Sequence, residues 1–174
     1  DHNGKGLYTT KMGHGDAIHL THFDPSRKGL QVWDCHENKR DGSTYRDAAT
    51  GEVLFQIKDN TDVGRCMAAD IDPTQPGVEM WSVASGGIRN VEGEVVKDRV
   101  RGLSCNMAVW WDGDLLRELL DRNMVSKYNW EKGVCERIAI FEGTLSNNGT
   151  KANPCLQGDI VGDWREEVLM RTAD

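Results

Sequence analysis

The chain has 174 residues and a formal net charge of −7, from 28 acidic and 21 basic side chains. This acidic balance argues against a nucleic-acid partner, because no basic surplus is available to neutralise phosphates. No apolar run is long enough to cross a bilayer as a helix, and no membrane partner is expected.

Read in chain order, one short pattern recurs. A small-residue start, Gly13-His14-Gly15, leads into an alternating run, Ala17-Ile18-His19-Leu20. An acidic turn follows at Asp24-Pro25, then a second strand, Gly29-Leu30-Gln31-Val32-Trp33. A later strand pair is predicted around the Gly-Glu turn of Ala49-Thr50-Gly51-Glu52-Val53-Leu54. The second unit starts at Gly64-Arg65-Cys66, runs through Ala68-Ala69-Asp70-Ile71, turns at Asp72-Pro73 and continues with Gly77-Val78-Glu79-Met80-Trp81. Its later strand pair surrounds Gly93-Glu94. The third starts at Ser104-Cys105-Asn106 and turns at Asp112-Gly113-Asp114. Leu115, Leu116, Leu119 and Leu120 fall at helical spacing. The register of the neighbouring repeats instead predicts a strand over Arg117-Glu118-Leu119-Leu120. The fourth starts at Pro154-Cys155-Leu156, turns at Asp163-Trp164-Arg165 and continues with Glu166-Glu167-Val168-Leu169.

The turn aspartates 24, 72, 112 and 163 are spaced 48, 40 and 51 residues apart. A unit of that size cannot bury an apolar face alone, so it must stack on its neighbours. The predicted fold is all-β, a β-propeller with blade repeats starting near residues 13, 64, 104 and 154. The fourth repeat stops after its second strand, so about three and a half blades are expected, as part of a longer propeller whose remaining blades are the chain's partners. Cys66, Cys105 and Cys155 occupy one place in their repeats and are expected as buried inner-strand residues; with Cys35 and Cys135 the number is odd, and no disulfide framework is predicted.

Three groups of residues carry possible chemistry. The acidic turns offer hard oxygens suited to Ca²⁺: Asp24, Asp70 and Asp72 with Glu79, Asp112 and Asp114, and Asp159 and Asp163 with Glu167. Asp-Pro and Asp-Gly also form turns without any metal. The histidines His14, His19, His22 and His36 crowd the first repeat. His14, between two glycines and beside Asp16, is placed where a ligand or metal approaches closely; hydrogen bonding of the imidazoles to neighbouring strands is the competing reading. The polar segment from Ser146 to Asn153 supplies oxygens from Asn148 and Thr150, a sharp turn at Gly149 and a cation at Lys151. It also reads as a hairpin turn, and Asn148-Gly149-Thr150 fits a glycosylation acceptor.

Several longer stretches resemble the rhamnogalacturonan lyases of polysaccharide lyase family 11. They are Gly13 to His19, Gly64 to Pro73, Asn106 to Asp114, Lys127-Tyr128-Asn129-Trp130, Ser146 to Lys151 and Leu156 to Glu167. The resemblance implies an eight-bladed β-propeller with bound calcium, of which this chain would hold about half. It implies a cleft calcium partly held by the loop matching Asn148, Gly149 and Thr150, and catalytic basic residues matching Lys151 and Arg65. His14, Arg65 and Lys151 are then the expected substrate contacts. The implied substrate is pectic rhamnogalacturonan I, cleaved by β-elimination at galacturonate in an extracellular, cell-surface or periplasmic setting. Lys151 is the candidate base and Arg65 the group that holds the carboxylate; the reverse assignment stays open. A non-catalytic, calcium-stabilised propeller that binds glycan or protein fits the acidic turns equally well, and a hydrolase with paired carboxylates is a third reading.

Overall fold

The second strand of each of the first three repeats is enclosed on both faces, which explains why Trp and Leu recur there. Gln31-Val32-Trp33-Asp34-Cys35 is buried throughout, and Glu79-Met80-Trp81 and Glu118-Leu119-Leu120 are buried likewise. A strand buried on both faces needs no polar alternation. The computed structural model describes residues 1–84 and 86–173.

Every regular element among the described residues is a strand. The first sheet is an antiparallel meander of β1 (Ile18–Thr21), β2 (Gln31–Cys35), β3 (Ser43–Asp47) and β4 (Val53–Ile57). The second runs in the same order through β5 (Cys66–Ala69), β6 (Glu79–Ser82), β7 (Ile88–Arg89) and β8 (Val95–Lys97). The third contains β9 (Met107–Val109), β10 (Glu118–Asp121), β11 (Met124–Asn129) and β12 (Val134–Ile140), again a meander. Two short sheets complete the described strands: β13 (Thr144–Leu145) pairs with β16 (Arg171–Thr172), and β14 (Leu156–Gly158) with β15 (Glu167–Leu169). The outer strand β12 exposes residues 136–138 and Ile140, as an edge strand does.

The helical spacing of residues 115–120 loses to strand register. Leu119 pairs with Ala108 on one side and Ser126 on the other. The strand begins one residue later than expected, at Glu118. The run at Ala68–Ile71 ends earlier than expected: β5 stops at Ala69, and Asp70 and Ile71 belong to the turn. The shared place of three cysteines does not give shared burial. Cys66 is buried inside β5, whereas Cys105 and Cys155 precede their strands and are half-buried and exposed.

Two compact units are distinguished, residues 1–68 with 75–98, and residues 69–74 with 99–174. In the first, Phe23, Trp33, Tyr45, Cys66 and Met80 form the core. The Tyr45 ring meets Phe23 edge-on at 5.5 Å and Phe55 at 5.1 Å. The Trp33 indole donates to the Trp81 carbonyl at 3.2 Å, so the buried N–H is satisfied. Each such aromatic contributes about 1.5–3 kcal/mol through burial. In the second unit Val109, Leu120 and Val125 form the centre, with Trp111, Phe141 and Val168 packed against them.

One backbone bond recurs from repeat to repeat. The residue just before a second strand donates to the turn of the preceding repeat: Val78 to Phe23 at 3.1 Å, Arg117 to Asp70 at 2.8 Å, Glu166 to Trp110 at 2.8 Å. The repetition seen in the sequence is therefore a repetition of stacking contacts.

Candidate functional site

In the first unit the two glycines beside His14 serve close approach. A Cβ on Gly15 would overlap the Cys35 carbonyl, and one on Gly13 would overlap the Asn38 side chain. The segment thus lies against the end of β2, and the Glu37 amide donates to the His14 carbonyl at 2.7 Å. The His14 side chain is exposed, with Nδ1 3.2 Å from a Glu37 oxygen and 3.9 Å from Asp16. Arg65 donates to the Asp16 carbonyl at 3.3 Å. His14, Asp16 and Glu37 can each direct one ligand atom to a common point, since these atoms lie within 4.8 Å of one another. Glu37 carries no signal in the sequence, because its partner His14 is 23 residues away and on another segment.

The other histidines hydrogen-bond to the fold. His19 donates to the Cys66 carbonyl at 3.1 Å and His22 to the Arg27 carbonyl at 2.6 Å. His36 is buried between the Gly13 carbonyl and the Thr44 hydroxyl, with Asp34 3.5 Å away. Burial opposes its charge, but the Asp34 hydrogen bond and charge prevail and raise its pKa.

Lys151 lies in the second unit, on a turn closed by Asn148. The Asn148 Oδ1 accepts from the Lys151 amide at 2.6 Å and the Ala152 amide at 3.2 Å, and its amide donates to Asn153 at 3.0 Å. Ser146 donates to the Asn148 carbonyl at 2.9 Å. The loop therefore holds its own shape, and Gly149 and Thr150 are exposed at its tip. Arg65 and Lys151 belong to different units.

The acidic turns share a hub that sequence reasoning missed. The first residue of the second strand sends a side-chain oxygen back to two consecutive turn amides. Gln31 Oε1 accepts from Phe23 at 2.9 Å and Asp24 at 3.3 Å. Glu118 Oε2 accepts from Trp111 at 3.0 Å and Asp112 at 3.3 Å. Glu167 Oε2 accepts from Ile160 at 2.7 Å and Val161 at 3.2 Å. Superposing the repeats in sequence reveals this signal: a polar residue at one register position opening an otherwise apolar strand. Glu79 stands at that position in β6 and is fully buried.

Around the hubs, the turn aspartates differ. Asp24 Oδ1 accepts from the Ser26 amide and hydroxyl, and Oδ2 pairs with Arg27 at 3.2 Å. Burial opposes its ionisation, but Ser26 and Arg27 prevail and lower its pKa. Asp72 caps Thr74. Burial and the neighbouring Asp72 both raise the pKa of Asp70. Asp159 is wrapped by the amides of Gly162, Asp163 and Trp164 at 2.6, 3.0 and 3.0 Å. Asp163 pairs with Arg165 at 2.5 Å.

At the third turn the carboxylates of Asp112, Asp114 and Glu118 converge, and the Lys127 ammonium sits among them. It contacts Asp112, Asp114 at 2.6 Å and Glu118 at 3.0 Å. Burial would lower the Lys127 pKa; the three carboxylates more than reverse this and raise it. Lys127, like Glu37, was missed as a charge partner, although it opens one of the motifs quoted above.

Over residues 1–174 the chain matches the C-terminal domain of rhamnogalacturonan lyase family 11. It is 49% identical over its whole length to rhamnogalacturonan endolyase YesW of Bacillus subtilis, covering 28% of that protein. It is 48% identical to rhamnogalacturonan exolyase YesX of the same organism, covering 31% of it. The crystal structure of YesW matches the whole chain with a TM-score of 0.94, and the family 11 lyase of Bacillus licheniformis does so with the same score at 46% identity; about 30% of each of those chains is covered. The chain thus spans less than a third of these relatives, and it belongs to rhamnogalacturonan lyase family 11.

Proposed function

We propose that the protein carrying this chain is a polysaccharide lyase that cleaves rhamnogalacturonan I, acting outside the cell membrane where the polymer is found. The observation that carries this reading is identity of 48–49% held across the whole chain to both an endolyase and an exolyase. The proposed scaffold is a β-propeller, supported by the successive four-stranded meanders and the recurring bond between them.

In the proposed reaction a base removes the C5 proton of galacturonate. The electron pair left on C5 forms the C4=C5 double bond, the C4–O4 bond breaks, and the departing oxygen takes a proton. Lys151 is the proposed base that accepts the C5 proton, and it stands on a turn whose backbone Asn148 fixes. Arg65 is the proposed holder of the galacturonate carboxylate, since a guanidinium matches carboxylate geometry in a two-point contact. His14 is proposed to contact the sugar beside it.

Calcium is the proposed metal. Asp16 and Glu37 converge with His14 closely enough to share one ion; the Asn148–Gly149–Thr150 loop and the turns of Asp24, of Asp70, Asp72 and Glu79, and of Asp159, Asp163 and Glu167 supply hard oxygens of the same kind. Asp112, Asp114 and Glu118 converge as closely, but the Lys127 ammonium stands among them, as Arg27 stands beside Asp24 and Arg165 beside Asp163, and calcium would have to displace these cations. Bound calcium would favour negative charge developing on the carboxylate of the reacting sugar.

In the intact protein, Lys151→Ala is expected to lower kcat by about 10²–10⁴, read as ultraviolet absorbance of the unsaturated uronate. Thermal stability should barely change, because the side chain leaves no core cavity. Full turnover in this variant would remove Lys151 from the role of base.

A further inference from the structure

A cavity lies in the first unit. It has a volume of about 600 Å³ and is lined by Lys11, Met12, Arg40, Asp41, Lys58 and Asp59, among others. That volume is in the range of small-ligand sites. Its wall is continuous with the His14 segment, since the Gly13 amide donates to Asp41 Oδ2 at 3.3 Å.

The charges of this cavity are arranged unequally. Both carboxylates are engaged by the fold: Asp41 by Gly13, and Asp59 Oδ1 by the Thr61 amide at 2.8 Å and hydroxyl at 2.5 Å. Among the described residues, no ion pair engages Lys11, Arg40 or Lys58. Three cations thus face the cavity uncommitted, in a chain whose net charge is −7. Solvated surface lysines alone would be unremarked, but the backbone singles these out. Lys11 has φ 56° and Arg40 has φ 90°, where glycine or asparagine sits with less strain. The Arg40 conformation is pinned by its amide, which donates to the Asp59 carbonyl at 2.6 Å. Strained backbone that presents a basic side chain, twice on one wall, marks a place where that side chain is used.

We propose that this cavity is a binding subsite for the uronate carboxylates of an acidic polysaccharide, with Lys11, Arg40 and Lys58 as its cations. It rests on the reading of the protein as a lyase of a galacturonate-containing polymer, and it places a further residue of that polymer beside the His14 segment. Three cations against two carboxylates leave the lining with a formal charge of +1, which locally offsets the repulsion between an acidic protein and a polyanion.

The test is electrophoresis of the intact protein through native gels containing polygalacturonate or neutral galactan. Polygalacturonate should retard the unaltered protein and galactan should not. The double substitution Arg40→Gly with Lys58→Gln should weaken the apparent affinity about 10-fold. Arg40→Gly suits the positive φ, so folding is kept, and an unchanged melting temperature verifies this. The reversal Lys58→Glu should weaken retardation by itself. Equal retardation of the variants and the unaltered protein, or no retardation of either by polygalacturonate, would overturn the proposal. Release of unsaturated product from rhamnogalacturonan is scored separately; its absence would sink the lyase reading and leave the retardation to decide on this subsite.

Discussion

Single side chains show how this fold handles concentrated negative charge. At the third turn a lysine answers three carboxylates, one of them the fully buried Glu118. Lys127→Met should cost about 2 kcal/mol, less than for a wholly buried pair because Asp114 is half exposed. Adding Glu118→Gln should recover part of the loss, because Gln31 performs the same turn-capping role in the first repeat as a neutral amide. Thermal melts of the two variants measure this. At the second turn no cation among the described residues answers Asp70, and burial and Asp72 push its pKa up. A carboxyl raised in the folded state costs stability once pH exceeds its ordinary value of 3.8, with the full cost above the raised value. Asp70→Asn should therefore raise the melting temperature after calcium is chelated. If Asp70 ligates calcium, the same substitution lowers it in calcium. A rise under both conditions would remove calcium from this turn.

At the scale of elements, the strand-turn-strand unit depends on its hub. Gln31 is fully buried and satisfies the amides of Phe23 and Asp24 while donating to the Gly29 carbonyl at 3.0 Å. Gln31→Ala strands those groups, and the expected loss is about 2–4 kcal/mol. Hydrogen exchange should show lost protection at the Phe23 and Asp24 amides; retained protection would contradict the hub's role. This also shows why only part of the design was legible. Strand positions were readable because in the first three repeats a second strand begins six or seven residues after the turn aspartate, enough to overrule the helical spacing of residues 115–120. The hub was written in the same register, but Glu79 and Glu167 read as calcium-ligating carboxylates, since a carboxylate opening a strand gives no sign of capping backbone amides. Pairings such as His14 with Glu37 and Lys127 with Asp112 join separate segments, so no local pattern announces them. The cysteines failed as a guide because Cys105 and Cys155 sit before their strands, and the strand after Cys155 itself begins with an exposed Leu156.

For the whole molecule, the family is established by identity across the full chain, which spans less than a third of the relatives it matches. Acting on a polyanion, as proposed, would require an acidic chain to gather its cations, and Arg65, Lys151 and the Lys11–Arg40–Lys58 cavity are where this chain positions them. Elimination and hydrolysis leave different ends on the polymer. The most direct measurement is mass spectrometry of the products that the intact protein releases from rhamnogalacturonan I. The account predicts oligosaccharides one water lighter than hydrolysis products, each with a 4,5-unsaturated uronate at its non-reducing end and a matching ultraviolet absorbance. Products of full hydrolytic mass, with no absorbance, would contradict it.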